Sequence, residues 1–178
     1  MDAGTLAREV VLAQSGDLAA LDRVLREVQM PLFRFVRATL GRDRDAEDVT
    51  QEALLTVCRK LKWLDEPRAF RGWAFQIAWR LAIREITRAE RRELRHEELD
   101  DTFAGTPEPA LDPWMREAIR SSITSLSPAC RGVVELHYLE ELTIGEVAEV
   151  LGIRTGTVKS RLASGLKQLR ETVQRQGR

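Results

Sequence analysis

The 178-residue sequence predicts an all-α protein of two small helical domains joined by an acidic, proline-containing linker. Three observations carry that prediction. Apolar residues recur at 3.6-residue spacing over most of the chain, and no segment alternates apolar and polar residues long enough to make a strand. Residues 96–113 hold six acidic side chains, no Lys or Arg, and three of the chain's six prolines, without any helical apolar period. A structureless run of that length is uncommon inside one compact domain and marks an interdomain connection. The expected organisation is a domain over 1–95, a linker over 96–113 and a second domain over 114–178.

The elements follow in order. Leu18, Leu21, Leu25 and Val28 form one helical stripe; Leu32, Phe35, Val36 and Leu40 form another after Pro31, with Gly41 as its C-cap. Ala46, Val49, Ala53, Val57, Leu61 and Leu64 continue the pattern as far as Pro67. Phe70 to Arg95 reads as one long helix, with Ala74, Ile77, Ala78 and Leu81 as its core stripe. In the second half, Thr143 and Glu146 have the spacing of a capping box. Ile144, Val147, Ala148 and Leu151 then share one face, and Gly152 ends the helix. A further helix, capped by Thr155, turns Val158, Leu162, Gly165, Leu169 and Val173 inward.

Composition narrows the function classes. The chain carries 28 basic and 28 acidic residues, so its formal charge is zero, yet the charge is segregated. Residues 68–95 hold eight arginines against three glutamates, and residues 113–178 ten basic against seven acidic groups, on either side of the acidic linker. No apolar run approaches the ~20 residues that span a bilayer, and no secretory leader is present, so a cytoplasmic protein without membrane insertion is expected. Cys58 and Cys130 are isolated and read as packed apolar groups. His96 and His137 lack metal-ligand spacing. No phosphate loop, nucleophile–base set or metal cluster is present, so no catalytic residue, metal or cofactor is expected.

Two basic constellations remain. On the 70–95 helix, Gln76, Arg80, Arg84, Arg88, Arg91 and Arg95 form a ridge in steps of three or four. Like charges at that spacing repel by roughly 0.2–0.5 kcal/mol per pair. Glu85 offsets Arg88, and little else lies in sequence reach of the others. A polyanion docked on the ridge would explain it. Trp63, Phe70, Trp73, Phe75 and Trp79 cluster beside it; aromatic faces near a basic groove suit stacking of unpaired bases, worth ~1–3 kcal/mol each. Trp73 reads as core, whereas Phe75 and Trp79 suit either core or DNA. The second constellation is helix, glycine-containing turn, helix, the arrangement whose second helix enters the DNA major groove. Its outward face carries Thr157, Lys159, Ser160, Ala163, Ser164 and Lys167, which can reach phosphates and base edges.

These residues resemble a known family. The string from Glu140 to Leu162 is similar to region 4 of the extracytoplasmic-function (ECF) sigma factors of bacterial RNA polymerase. Asp45-Ala46-Glu47-Asp48-Val49-Thr50-Gln51-Glu52 and Phe70-Arg71-Gly72-Trp73 are similar to region 2. The resemblance implies a promoter-specificity subunit whose partners are core RNA polymerase (β′ clamp helices and β subunit), promoter DNA and an anti-sigma factor. It assigns core binding to Asp48, Gln51, Glu52 and Leu55. The loop from Lys62 to Phe70 and the arginine helix, with Arg68, Phe75, Gln76, Trp79, Arg80, Arg84 and Arg88, would melt and hold the −10 element. Capture of a flipped base there would offset unstacking, which costs a few kcal/mol, so opening needs no ATP. Thr155, Thr157, Lys159, Ser160, Arg161, Ser164 and Lys167 would read the −35 element as duplex. Arg80 stands where the family commonly has asparagine, near the flipped-base pocket, which bears on −10 specificity; Ser164 and Leu166 stand where arginines are frequent in the recognition helix, which predicts fewer phosphate contacts and weak unaided DNA binding.

Two rivals use the same residues differently. A stand-alone helix-turn-helix regulator would leave the ridge and the Asp48–Glu52 face unemployed. A sigma mimic that sequesters an anti-sigma protein would tolerate a weakened recognition helix.

Overall fold

The computed structural model describes residues 1–40, 43–93, 123 and 126–176, which form helices and connecting turns with no strand among them. The chain divides into two compact units, Met1–Arg95 and His96–Arg178. Gly41 and the 96–113 linker lie outside the described residues.

The first unit contains α1 (Ala3–Gln14), α2 (Leu18–Leu40), α3 (Asp43–Lys60) and α4 (Phe70–Glu93). The Asp2 carboxylate starts α1 by accepting from the backbone N–H groups of Gly4 and Thr5. Those bonds, led by the Thr5 hydroxyl, hold the Asp2 carboxyl below the ordinary aspartate range. Gly16, at φ 99°, turns the chain into α2.

The two stripes expected on either side of Pro31 lie on one continuous helix. Proline in a helix interior costs ~3 kcal/mol because it lacks an N–H and crowds the preceding turn. Here Val28, Leu32, Phe35 and Val36 are fully buried around it, at ~1.5–3 kcal/mol each, and packing outweighs the defect. The buried stripe runs Ala20, Val24, Val28, Leu32, Phe35 and Val36, so the expected Leu18 stands in solvent. Two neighbouring registers satisfy the 3.6 period, and α1, α3 and α4, all packed on α2, select this one.

Helices α3 and α4 pack together and on α2. Small residues, Ala46 and Ala53 on α3 with Ala74, Ala78 and Ala82 on α4, are fully buried in this unit. The Thr50 hydroxyl, also buried, donates to the Ala46 carbonyl at 2.6 Å. Between α3 and α4 run two 3₁₀ turns, Leu61–Trp63 and Pro67–Ala69.

The second unit contains α5 (Pro128–Val134), a π-helical turn over Glu135–Leu139, α6 (Ile144–Leu151) and α7 (Thr155–Gln176). Both halves of the capping box form: the Thr143 side chain accepts from the Glu146 N–H, and the Glu146 carboxylate accepts from the Thr143 N–H. Gly152 closes α6 in the left-handed region at φ 67°. Gly165 has a different role. A Cβ placed on it would lie 2.6 Å from Cγ2 of Val134 and 3.4 Å from Cβ of Cys130, so only glycine lets α7 approach α5 this closely. Cys130 is buried there, and Cys58 is partly buried in the first unit. Val158, Leu162, Gly165 and Leu169 face inward as the periodicity predicts, whereas the side chain of Val173 lies outside the described residues.

Candidate functional site

On α3, the stripe Ala46, Val49, Ala53 and Val57 is buried. The opposite side therefore presents Asp48, Gln51 and Glu52 to solvent, with Leu55 48% exposed beside them. A solvent-facing leucine flanked by carboxylates is poorly used in an isolated domain and well used against a basic helical partner.

On α4, Arg80, Arg84 and Arg88 are all exposed, in line along the helix. The side chains of Arg91 and Arg95 lie outside the described residues. The expectation that only Glu85 compensates the ridge needs correction. Glu85 does reach Arg88, at 3.9 Å, but Glu52 also pairs with Arg84 at 2.7 Å, from α3 to α4. That contact joins the proposed polymerase face to the proposed DNA ridge. Both side chains are at least half exposed, so the pair contributes ~0–1 kcal/mol to stability.

The aromatic residues divide. Phe75, placed above among the DNA-facing residues, is fully buried with its ring edge-on to Phe35 at 5.4 Å. It belongs to the core, because α2 covers the side of α4 on which it projects. Trp79 is partly buried against Phe35, centroids 6.1 Å apart, and Trp73 partly buried against Phe70 at 6.2 Å. Gln76 is partly buried. Trp63, absent from the expected site, is the aromatic that stands free: it is 65% exposed, with the Lys62 ammonium 4.3 Å from its ring centroid. Arg68 is exposed in the same loop, its N–H held by the Glu66 carboxylate at 3.0 Å. A cation paired with an indole face in a loop next to an arginine ridge has the chemistry that suits a single strand, which offers phosphates and unpaired bases.

In the second unit the expected helix-turn-helix is present: α6, the turn Gly152–Arg154, then α7. Thr155 is the first residue of α7 rather than its cap, since the Arg154 carbonyl already accepts from the Val158 N–H. Thr155, Lys159 and Lys167 are exposed, and Thr157, Ser160, Arg161 and Ser164 partly so. The Ser160 hydroxyl donates to the Thr157 carbonyl at 3.0 Å, which leaves its lone pairs as acceptors for a base-edge donor. Leu166 does not occupy a phosphate-contact position; it is buried in the core. Arg154, which the motif reading passed over, is exposed at the start of α7, and no acidic residue stands in that helix's first turn. Cations at a helix N-terminus oppose the macrodipole, a placement that a bound phosphate would reverse.

Comparison with known proteins accords with this geometry. The Sigma-70 region 2 model matches residues 24–92 and the Sigma-70 region 4 model residues 116–169. ECF RNA polymerase sigma factor SigL of Mycobacterium tuberculosis is 30% identical over 173 residues, covering 93% of this chain and 95% of SigL. SigW of Bacillus subtilis is 28% identical, with 93% and 95% covered. SigE of Mycolicibacterium smegmatis is 31% identical over 90% of this chain, which spans 65% of SigE. Among solved structures, CnrH in complex with the cytosolic domain of CnrY aligns at TM-score 0.64 with 22% identity, covering 97% of this chain and 98% of CnrH. The sigma factor RpoE in complex with the anti-sigma factor NepR from Bartonella quintana aligns at 0.63 with 20% identity, covering 86% and 96%. Those two alignments establish likeness of fold. With its region 2 and region 4 elements in order and a 30% identical relative matched over nearly its full length, the chain belongs to the ECF sigma factors of RNA polymerase, a family of transcription initiation factors.

Proposed function

We propose that this ECF sigma factor docks on core RNA polymerase through Asp48, Gln51, Glu52 and Leu55, and opens promoters with the following loop and helix α4. Residues 1–95 would then serve both core binding and the −10 element. Arg68, Gln76, Trp79, Arg80, Arg84 and Arg88 line the path of the displaced strand, and Trp63 joins them in place of Phe75. Residues 114–178 would read the −35 element as duplex through Thr155, Thr157, Lys159, Ser160, Arg161, Ser164 and Lys167, with 96–113 as an acidic tether that repels DNA. No residue acts as a catalyst; the protein supplies binding energy to the polymerase, working in the cytoplasm. An anti-sigma factor would act by covering these faces; the sigma factor RpoE of Bartonella quintana, similar in fold, is solved in complex with the anti-sigma factor NepR.

One observation carries the reading. An exposed acidic and apolar face and an exposed arginine ridge stand on adjacent helices of one unit, joined by the Glu52–Arg84 pair. Run-off transcription with core polymerase on a panel of promoters tests it, since only a promoter-directing subunit gives specific starts. Asp48→Arg is expected to weaken core affinity about tenfold by placing like charges together. Arg80→Ala with Arg84→Ala is expected to impair open-complex formation while core binding stays near normal. Unchanged core affinity in the first variant, or unchanged opening in the second, removes that surface from the assignment.

A further inference from the structure

The loop between α3 and α4 has to present Trp63 and Lys62 to a strand without folding back on the domain. Its own turns hold little: the Leu64 N–H donates to the Leu61 carbonyl at 3.1 Å, and the Ala69 N–H to the Glu66 carbonyl at 3.0 Å. A second set of bonds comes from 47 residues away. Gln14, the last residue of α1, donates from Nε2 to the Leu61 carbonyl at 3.0 Å and to the Leu64 carbonyl at 2.7 Å, both partly buried. Among the described residues these are the only hydrogen bonds to residues 61–69 from a helix that does not adjoin the loop in sequence. The two carbonyls bracket Lys62 and Trp63. One carboxamide has two N–H donors in a plane, so a single side chain fixes both ends of the exposed turn. Helix α1 also lies before residue 24, where the region 2 match begins.

We propose that Gln14 is a positioning residue for promoter opening: α1 clamps the strand-capturing loop in its open form through these two bonds. A loop ordered before the strand arrives loses less freedom on capture, so the clamp raises the rate of opening without touching DNA. The proposal rests on the reading of residues 62–70 as the loop that takes the displaced strand. It also explains why the last side chain of α1 is an amide: a carboxylate would set its charge against two carbonyl oxygens, and a lysine would again supply donors to both.

The test uses holoenzyme and a promoter on which the wild-type protein gives a specific run-off product, offered both as duplex and with its −10 region opened by mismatches. Gln14→Glu, nearly isosteric, is expected to slow opening of the duplex about five- to tenfold, the effect of two partly buried hydrogen bonds. It is expected to initiate near the wild-type rate on the pre-opened template, with core affinity unchanged. Gln14→Lys is expected to recover most of the duplex rate. A general loss of folding would depress both templates and core binding alike. Wild-type opening by Gln14→Glu, or an equal loss on both templates, overturns the clamp. Trp63→Ala separates the two levels: if it slows opening while Gln14→Glu does not, only the clamp falls, and if neither slows it, the loop assignment falls as well.

Discussion

Gly165 shows how one missing methyl group decides the packing of a domain. Two terms compete in Gly165→Ala: alanine gains up to ~1 kcal/mol in helix propensity, and overpacking costs ~1–3 kcal/mol. The would-be Cβ meets a β-branched Val134 methyl at 2.6 Å rather than the end of a flexible chain, so overpacking wins. The variant is expected to lose about 1–2 kcal/mol in denaturant unfolding, with part of the loss recovered when Val134→Ala is added. Cys58 offers a test of environment. Burial pushes its thiol above the usual value, and only the thiolate is nucleophilic. Alkylation of Cys58 at pH 8 is therefore expected to run more slowly in the folded protein than in denaturant, with a rate that climbs at higher pH than for a free cysteine. Alkylation equally fast in both states would contradict the buried placement. Phe75 belongs to the same scale. It stands beside the core stripe of α4 and one position from Gln76 of the ridge, so its periodicity is ambiguous, and the arrival of Phe35 from α2 identifies it as core.

Elements whose instructions are local were legible in the chain. Helix α6 is specified by Thr143, Glu146 and Gly152 within ten positions, and each occupies the role its chemistry predicts. Thr143→Ala is expected to cost about 1 kcal/mol, since it removes the acceptor for the Glu146 N–H and the hydroxyl donor to the Glu146 carboxylate, which keeps only its bond from the residue 143 N–H. Amide exchange at the first turn of α6 would report the loss selectively. The start of α4 at Phe70 and its continuity through Glu93 were equally readable, because a helical apolar period runs there without a proline to break it. Elements settled by distant packing were not readable. Pro31 punctuates α2 in sequence, yet the buried side chains on either side carry the helix through it. The register of α2 also escaped, because leucines stand on two adjacent stripes and the helices packed on α2 from elsewhere in the chain distinguish them. The candidate site divides in the same way. The exposed face of α3 and the arginine line of α4 follow from spacing, whereas Gln14 at the loop and Glu52 at Arg84 depend on residues 47 and 32 positions apart being brought together.

At the scale of the molecule, region 2 and region 4 elements reside in separate compact units, so each can engage DNA through its own surface. Contacts too weak to hold separately gain from being tethered, and core polymerase would supply the geometry in which both act at once. On its proposed role at the −35 element, Lys159→Ala is expected to lower the log–log salt slope of holoenzyme–promoter binding by about one unit.

Glu52 and Arg84 are each assigned a different macromolecule, yet they hold one another. On the proposed assignment, whichever macromolecule arrives first would break that bond and bear the cost, and the second would find its contact already released. Heterotropic cooperativity follows, reciprocal by thermodynamic necessity and limited by an exposed pair's ~1 kcal/mol to about fivefold. Promoter DNA should therefore tighten the grip of polymerase on wild-type protein more than on Glu52→Gln, which enters the encounter with its arginine unshackled.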